Sequence, residues 1–322
     1  MSKYRDRLPQ LDDRLFMTDG GLETTLIFHD KVDLPYFAAF DLLKDAQGTA
    51  VLRRYFATYA ELARTRAVGL VLEAPTWRAN PDWAARLGYG REALADANRK
   101  GIALLLDIRA AYESAQTRIV VSGNIGPRGD GYRPGACMSI QEAQDYHGAQ
   151  IETFAGTDAD MVAAFTMNYV EEAIGIAAAA RECSMPLALS FTVETDGRLP
   201  SGQTLREAIE RTDEASGSYP VYYMINCAHP SHFENVLRDQ GAWLQRIRGL
   251  RANASRRSHA ELDESTDLDA GDAEELGTLY GALRTVLPRL SVVGGCCGTD
   301  HTHVDSICRA MNADRHRVAE AM

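Results

Sequence analysis

Short apolar runs recur along the chain, and each stops at a polar or glycine-rich turn. The runs are Leu15 to Thr18, Leu70 to Glu73, Arg118 to Ser122, Asp160 to Thr166, Pro186 to Val193, Val221 to Ile225, Ile247 to Arg251 and Leu290 to Val293. Four to eight residues bounded by turn signals is the pattern of a buried strand. Between them, apolar residues return at helical spacing, as in Val51, Tyr55, Tyr59 and Leu62, with Gly69 ending that helix. The spacing predicts helices over about 46–67, 91–115, 139–155, 170–183, 203–215, 272–287 and 303–316, with a short one opened by Pro230. Ser139 and Glu142 have capping-box spacing. Eight strands alternating with eight helices predict an α/β chain folded as a single-domain (β/α)8 TIM barrel over 1–322, with an open doubly wound sheet as the alternative. An irregular acidic loop is expected at about 255–271.

Composition narrows the function classes. At 322 residues with 45% hydrophobic and 25% charged content, the chain can bury a large core. A formal charge of -11 argues against a nucleic-acid partner bound through the overall field, and Arg256-Arg257 is too short to form a basic patch. No apolar run approaches the roughly 20 residues that span a bilayer, so no membrane partner is expected. Six cysteines in a chain of this length, behind the polar start Met1 to Arg14, predict a reducing compartment, with the cytoplasm as the default location.

The strand ends carry the candidate chemistry. Cys227 follows Asn226 at the end of the sixth run, and Cys296-Cys297 sits within Gly294-Gly295-Cys296-Cys297-Gly298-Thr299 after the eighth. For both adjacent thiols to act on one object, the strand must end there and the backbone bend, which the flanking glycines permit. By spacing alone the pair suits a vicinal disulfide, two unrelated thiols or a redox couple as well as a metal site. In a barrel the C-terminal strand ends form the active site, so three sulfurs converging from strands six and eight make an open Zn²⁺ site. Three thiolates make zinc a poor Lewis acid for water, yet it deprotonates a thiol in the fourth position, and such a thiolate attacks an alkyl group by in-line displacement. Cys183 and Cys308 on helices and Cys137 in a loop read as idle thiols. His229, His301 and His303 read as residues outside the first coordination shell. Gly123-Asn124-Ile125-Gly126-Pro127-Arg128-Gly129 reads as a substrate-facing loop and not as a phosphate cradle, because it lacks both the G-x-G-x-x-G spacing and a G-K-[ST] ending.

Three segments carry a family resemblance: Thr18-Asp19-Gly20-Gly21-Leu22-Glu23-Thr24, Asn226-Cys227, and Gly294 to Thr299. Taken in order over nearly the whole chain, they resemble the homocysteine S-methyltransferase family, zinc-dependent enzymes on a (β/α)8 barrel. The resemblance implies that Cys227, Cys296 and Cys297 hold Zn²⁺ while the homocysteine sulfur takes the fourth place. Asp19, Gly20, Gly21 and Glu23 would belong to the amino-acid pocket, with Asn124, Asn226 and Asn253 at matching strand ends. The partners implied are a small-molecule thiol acceptor and a small onium methyl donor: S-methylmethionine, S-adenosylmethionine or a betaine. Trp77, after the second strand, is a candidate aromatic platform for the donor cation. Family members commonly carry a Glu near the end of strand four that helps hold the substrate ammonium. Phe165 stands there in this chain, and Glu194, ending strand five, either supplies the carboxylate or orders its own loop.

Overall fold

A short apolar strand flanked by helices buries both faces only if the sheet closes or is covered on both sides, and this chain closes it. In a computed structural model describing residues 1–12, 14–265 and 267–320, the strands β1 (Phe16–Met17), β2 (Gly69–Glu73), β3 (Ile119–Ile125), β4 (Met161–Met167), β5 (Leu187–Thr192), β6 (Tyr222–Asn226), β7 (Ile247–Ala252) and β8 (Val292–Gly295) form one closed barrel in sequence order. All pairings are parallel, and Phe16 lies opposite both Gly69 and Val292 where β1 closes the ring. Asp13, Thr266 of the predicted 255–271 loop, Ala321 and Met322 lie outside the described residues.

Side chains alternate between the faces of each strand. Phe16, Val71, Val120, Met161, Ala163, Phe165, Ala188, Tyr222, Met224 and Val292 pack as one apolar cluster inside the barrel, separate from the larger cluster between strands and helices. The helices are α1 (Leu22–Thr24), α2 (Ala46–Arg66), α3 (Pro81–Arg86), α4 (Arg91–Tyr112), α5 (Ile140–Ala155), α6 (Val170–Glu182), α7 (Leu205–Ser216), α8 (Pro230–Phe233), α9 (His259–Asp263), α10 (Ala273–Leu283) and α11 (His301–Glu320). The predicted capping box at Ser139 and Glu142 is formed, and Thr204 with Glu207 makes a second at α7. Among the described residues, no helix is long and apolar enough to cross a membrane.

The barrel is the predicted fold, and three local departures bear on the site. β3 runs through Asn124 to Ile125, where a loop was expected, because Ser122 to Ile125 pair with Met161 to Ala164 and that ladder outweighs the turn preference of Gly123. β8 starts and ends two residues later than predicted, its glycines pairing with Arg251 and Ala252, so Cys296 is the first residue beyond the strand. Between β6 and β7 the short helix expected at Pro230 is formed as α8, followed by 3₁₀ turns at Val236–Arg238 and Ala242–Arg246. The 255–271 segment is not wholly irregular: Ser258 and Glu261 form a capping box that starts α9.

At the other end of the barrel, Asp160 organises the base. Its Oδ2 accepts from Arg109 Nη1 at 2.6 Å and Val121 N at 2.9 Å, and its Oδ1 accepts from the backbone of Lys3 and Tyr4. Asp160 is fully buried and Arg109 nearly so. Replacing one member of such a pair strands the other charge, so Asp160→Ala is expected to lower unfolding stability by about 3–5 kcal/mol. Urea unfolding checks this, and a loss below about 1 kcal/mol contradicts it.

Candidate functional site

Three cysteines meet at the C-terminal mouth of the barrel. The sulfurs of Cys227, Cys296 and Cys297 all lie within 4.8 Å of one another, the one such group of potential metal ligands among the described residues. Cys227 and Cys296 stand at disulfide contact, while Cys297, outside that pair, has its Sγ 3.7 Å from the Tyr132 hydroxyl. The vicinal pairing that adjacency allows is therefore not the one adopted. Zinc with bonds of about 2.3 Å to sulfur sets its thiolates about 3.8 Å apart, so three thiolates gathered this closely fit a metal once Cys227 and Cys296 are reduced. His229, His301 and His303 are not in this group. His229 accepts from Ser231 N at the start of α8, and His303 binds Asp300 and the Ala270 carbonyl.

The backbone bends sharply at Cys227 and at its neighbour Thr166. Cys227 has φ 55 and Thr166 φ 64, both in the left-handed region that a β-branched residue such as Thr seldom adopts. Asn226 holds both in place. Its Oδ1 accepts from Thr166 N at 3.0 Å and Ser190 Oγ at 2.6 Å, and its Nδ2 donates to Thr166 Oγ1 at 2.9 Å and to Cys227 Sγ at 3.0 Å. One amide thus ties the ends of β4, β5 and β6 and sets the direction of the Cys227 sulfur. The register shift of β4 against β5 between Ala164 and Met167 falls at Thr166. Asn253 donates to the Cys227 carbonyl at 3.0 Å, bringing in the end of β7. Cys296 N donates to the Ala252 carbonyl and Ala254 N to the Cys297 carbonyl. A side chain at Gly21 would stand 2.6 Å from the Cys296 carbonyl, so only glycine lets the turn after β1 approach β8 this closely.

Beside the sulfurs lies a buried patch of charge. Arg251 Nη2 is 2.7 Å from Asp19 Oδ1, its Nη1 contacts Glu73 Oε2, and it donates to the carbonyls of Gly20 and Gly295. Its guanidinium lies 5.2 Å from the centre of the Phe165 ring. Tyr55 donates to Asp19 Oδ2 and the Gly20 carbonyl. Burial pushes the carboxyl of Glu73 up to about 8, against the pull of Arg251, and that of Glu23 up to about 7. Asp19 is raised by burial too, despite Arg251 beside it.

Loops close over this floor. Tyr132, after β3, stacks on His259 of α9 with ring centroids 3.9 Å apart, and His259 Nε2 contacts the Cys227 carbonyl. Glu194 faces His259 Nδ1 at 3.3 Å. The Trp77 indole donates to the Phe165 carbonyl at 3.4 Å, and the Arg78 guanidinium lies 4.1 Å over its ring. Asn124 lies at the end of β3, its side-chain oxygen buried without a hydrogen-bond partner.

Asp19, Gly20, Gly21, Asn226, Asn253 and the three cysteines therefore meet directly, whereas Glu194 and Trp77 approach through His259 and Phe165. Sequence reading missed Glu73 and Arg251, which end apolar runs at inward-facing positions and so carried a signal in the strand alternation. It also missed Thr166, Tyr132 and His259. Neither Tyr132 nor His259 belongs to a periodic pattern that would betray it.

A family model described as Homocysteine S-methyltransferase matches residues 16–311. No curated protein sequence matches the chain. Among solved structures, the oxidised form of the homocysteine methyltransferase MmuM from Escherichia coli aligns with a TM-score of 0.72 at 18% identity, over 92% of this chain and 95% of that one. Its metallated form aligns with a TM-score of 0.71 at 17% identity, over 93% and 97%. At such identity these likenesses speak to the fold.

A carboxyl group whose folded pKa is raised favours folding most below its unfolded pKa, and that contribution is lost as pH rises through the folded value. For Glu73, the window runs from an ordinary carboxyl value to about 8. Glu73→Gln, which mimics the protonated form, should match the wild-type melting temperature at pH 5 and exceed it at pH 8. An equal gap at both pH values would contradict the buried-charge assignment.

Proposed function

The chain belongs to the homocysteine S-methyltransferase family, and within that class of methyltransferase we propose that it moves a methyl group from a small onium donor to the thiol of homocysteine, giving methionine. The observation that carries this reading is the gathering of Cys227, Cys296 and Cys297 within 4.8 Å at the barrel mouth. We take Zn²⁺ as the metal that these residues hold in their reduced form. Bound there, zinc supplies the charge that keeps an acceptor thiol deprotonated and nucleophilic near neutral pH.

The chain's own residues do the positioning. Asn226 donates to Cys227 Sγ and fixes its direction, and Asn253 anchors the Cys227 carbonyl. Asp19 with Gly20 and Gly21 forms the wall of the amino-acid pocket next to Arg251, and Glu23 lies on the turn behind them. Tyr132 and His259 screen the sulfurs from water. In the transfer the acceptor sulfur forms a bond to the methyl carbon. The bond from that carbon to the onium sulfur or nitrogen breaks, its electron pair stays on the leaving thioether or amine, and the thiol proton goes to solvent. We infer that the donor is S-methylmethionine, S-adenosylmethionine or a betaine, with the part of Trp77 not covered by Arg78 as its aromatic contact. A reducing compartment such as the cytoplasm suits a site that needs three free thiols.

The contact between Cys227 and Cys296 supports a second reading, in which the protein is a redox sensor. A disulfide there removes two of the three donors, so metal content reports the redox state. The experiment is a screen of reduced, zinc-loaded protein with homocysteine and each onium donor in turn, detecting methionine. Methionine is expected with at least one donor and none above background from Cys227→Ser. No methionine with any donor, from protein that holds zinc, would contradict the reading and leave the sensor ahead.

A further inference from the structure

Arg78, in the turn after β2, is a buried cation with no ion-pair partner among the described residues, and it is 6% exposed. Asp130 and Glu23 lie near enough to act on it, yet neither forms an ion pair with it. Asp130 spends its Oδ1 on the backbone of Tyr132 and Arg133, and burial holds the Glu23 carboxyl up to about 7. Burial in turn pulls the Arg78 guanidinium down to about 10. An unpaired charge in such a place is costly unless an anion joins it.

The guanidinium is held in a fixed plane. The indoles of Trp77 and Trp83 flank it, with ring centres 4.1 and 3.9 Å from Cζ, and Nη1 donates to the Gly129 carbonyl at 2.9 Å. Nε is buried without a hydrogen-bond partner, and among the described residues Nη2 has none either. These two nitrogens form one edge of the arginine fork, the edge that meets a carboxylate through two parallel hydrogen bonds. Its direction is set before a ligand arrives, so little side-chain freedom is lost on binding. The clamp borders the sulfurs: Trp77 Nε1 donates to the Phe165 carbonyl, and the next residue, Thr166, has its Oγ1 4.0 Å from Cys227 Sγ.

A cation beside Trp77 also sets a condition on the donor. An onium group resting on the rest of that ring meets like charge from Arg78, which disfavours it unless the same molecule carries a negative group. We propose that Arg78 is a specificity-determining residue that takes the carboxylate of the methyl donor on its edge of Nε and Nη2, so that the site admits zwitterionic onium compounds and rejects plain onium cations. This rests on the onium-donor reading above and narrows its substrate class to donors that carry a carboxylate.

The test is titration calorimetry of the reduced, zinc-loaded full-length chain, with methionine filling the acceptor place so that no transfer occurs. The ligands are pairs whose second member lacks the carboxylate: glycine betaine with choline, S-methylmethionine with (3-aminopropyl)dimethylsulfonium, and S-adenosylmethionine with its decarboxylated form. In at least one pair wild type should bind the zwitterion about tenfold more tightly or better, the value of a charge-assisted hydrogen bond. Arg78→Gln, which can still donate to the Gly129 carbonyl, should weaken that zwitterion about tenfold or more while the plain cation binds as well as to wild type or better. Loss of packing alone would weaken both members alike. Arg78→Lys keeps the charge and not the fork, so it should lose most of the zwitterion affinity and still reject the plain cation, and it serves if the Gln variant does not fold. Equal weakening of both members, or no change in either, overturns the proposal. So does a selective loss of homocysteine against 3-aminopropane-1-thiol with donor binding intact, which gives the clamp to the acceptor. If no donor binds wild type, the onium-donor reading has failed and the clamp falls with it, whereas donor binding without preference for a carboxylate overturns the clamp alone.

Discussion

Parallel closure of eight strands puts the last residue of every strand on the same rim, and the rest of the site depends on that constraint. Cys227 directly follows β6 and Cys296 directly follows β8, with the whole of β7 between them, yet their sulfurs touch because both strands point the same way around a closed ring. No local sequence feature could bring residues 69 apart in the chain together in this way. The rim also dictates the supporting cast. Asn226 reaches the ends of β4 and β5, Asn253 reaches back from β7, and Gly21 lets the turn after β1 lie against Cys296. The left-handed backbone at Thr166 and Cys227 is held by this hydrogen bonding, so local strain persists where the surroundings over-determine it.

The same closure forces a choice on the top layer of the barrel interior. Lower layers are filled by apolar side chains such as Val71, Val120 and Met224. At the top, Glu73 and Arg251 occupy inward positions that an apolar residue could fill at less cost. A buried charged patch at the rim is where natural folds commonly break the rules of a packed core.

How much of this was legible depends on whether a feature leaves a periodic trace. The alternation of apolar runs and helical stretches revealed the barrel, and the polar punctuation after each run pointed to Asp19, Asn226, Cys227 and Cys296-Cys297 as rim residues. Glycine misled at two ends. Gly123 and Gly294 look like turn residues, but ladder pairing keeps them extended, and a side chain at Gly123 would meet the Phe154 ring of α5 at 2.6 Å. Glu73 and Arg251 were visible as charged ends of apolar strands, yet their pairing joins β2 to β7 across the axis and needs the closed ring to be seen. Tyr132 in a loop and His259 at the start of the short helix α9 left no trace, because their reach is set by tertiary packing.

If three cysteine thiolates hold a metal, one place is left for the acceptor sulfur. X-ray absorption at the zinc edge, on the reduced and zinc-loaded chain before and after homocysteine, reads this coordination. Three sulfur ligands rising to four are expected. A coordination shell unchanged by homocysteine, or zinc held by fewer than three sulfurs, would contradict it.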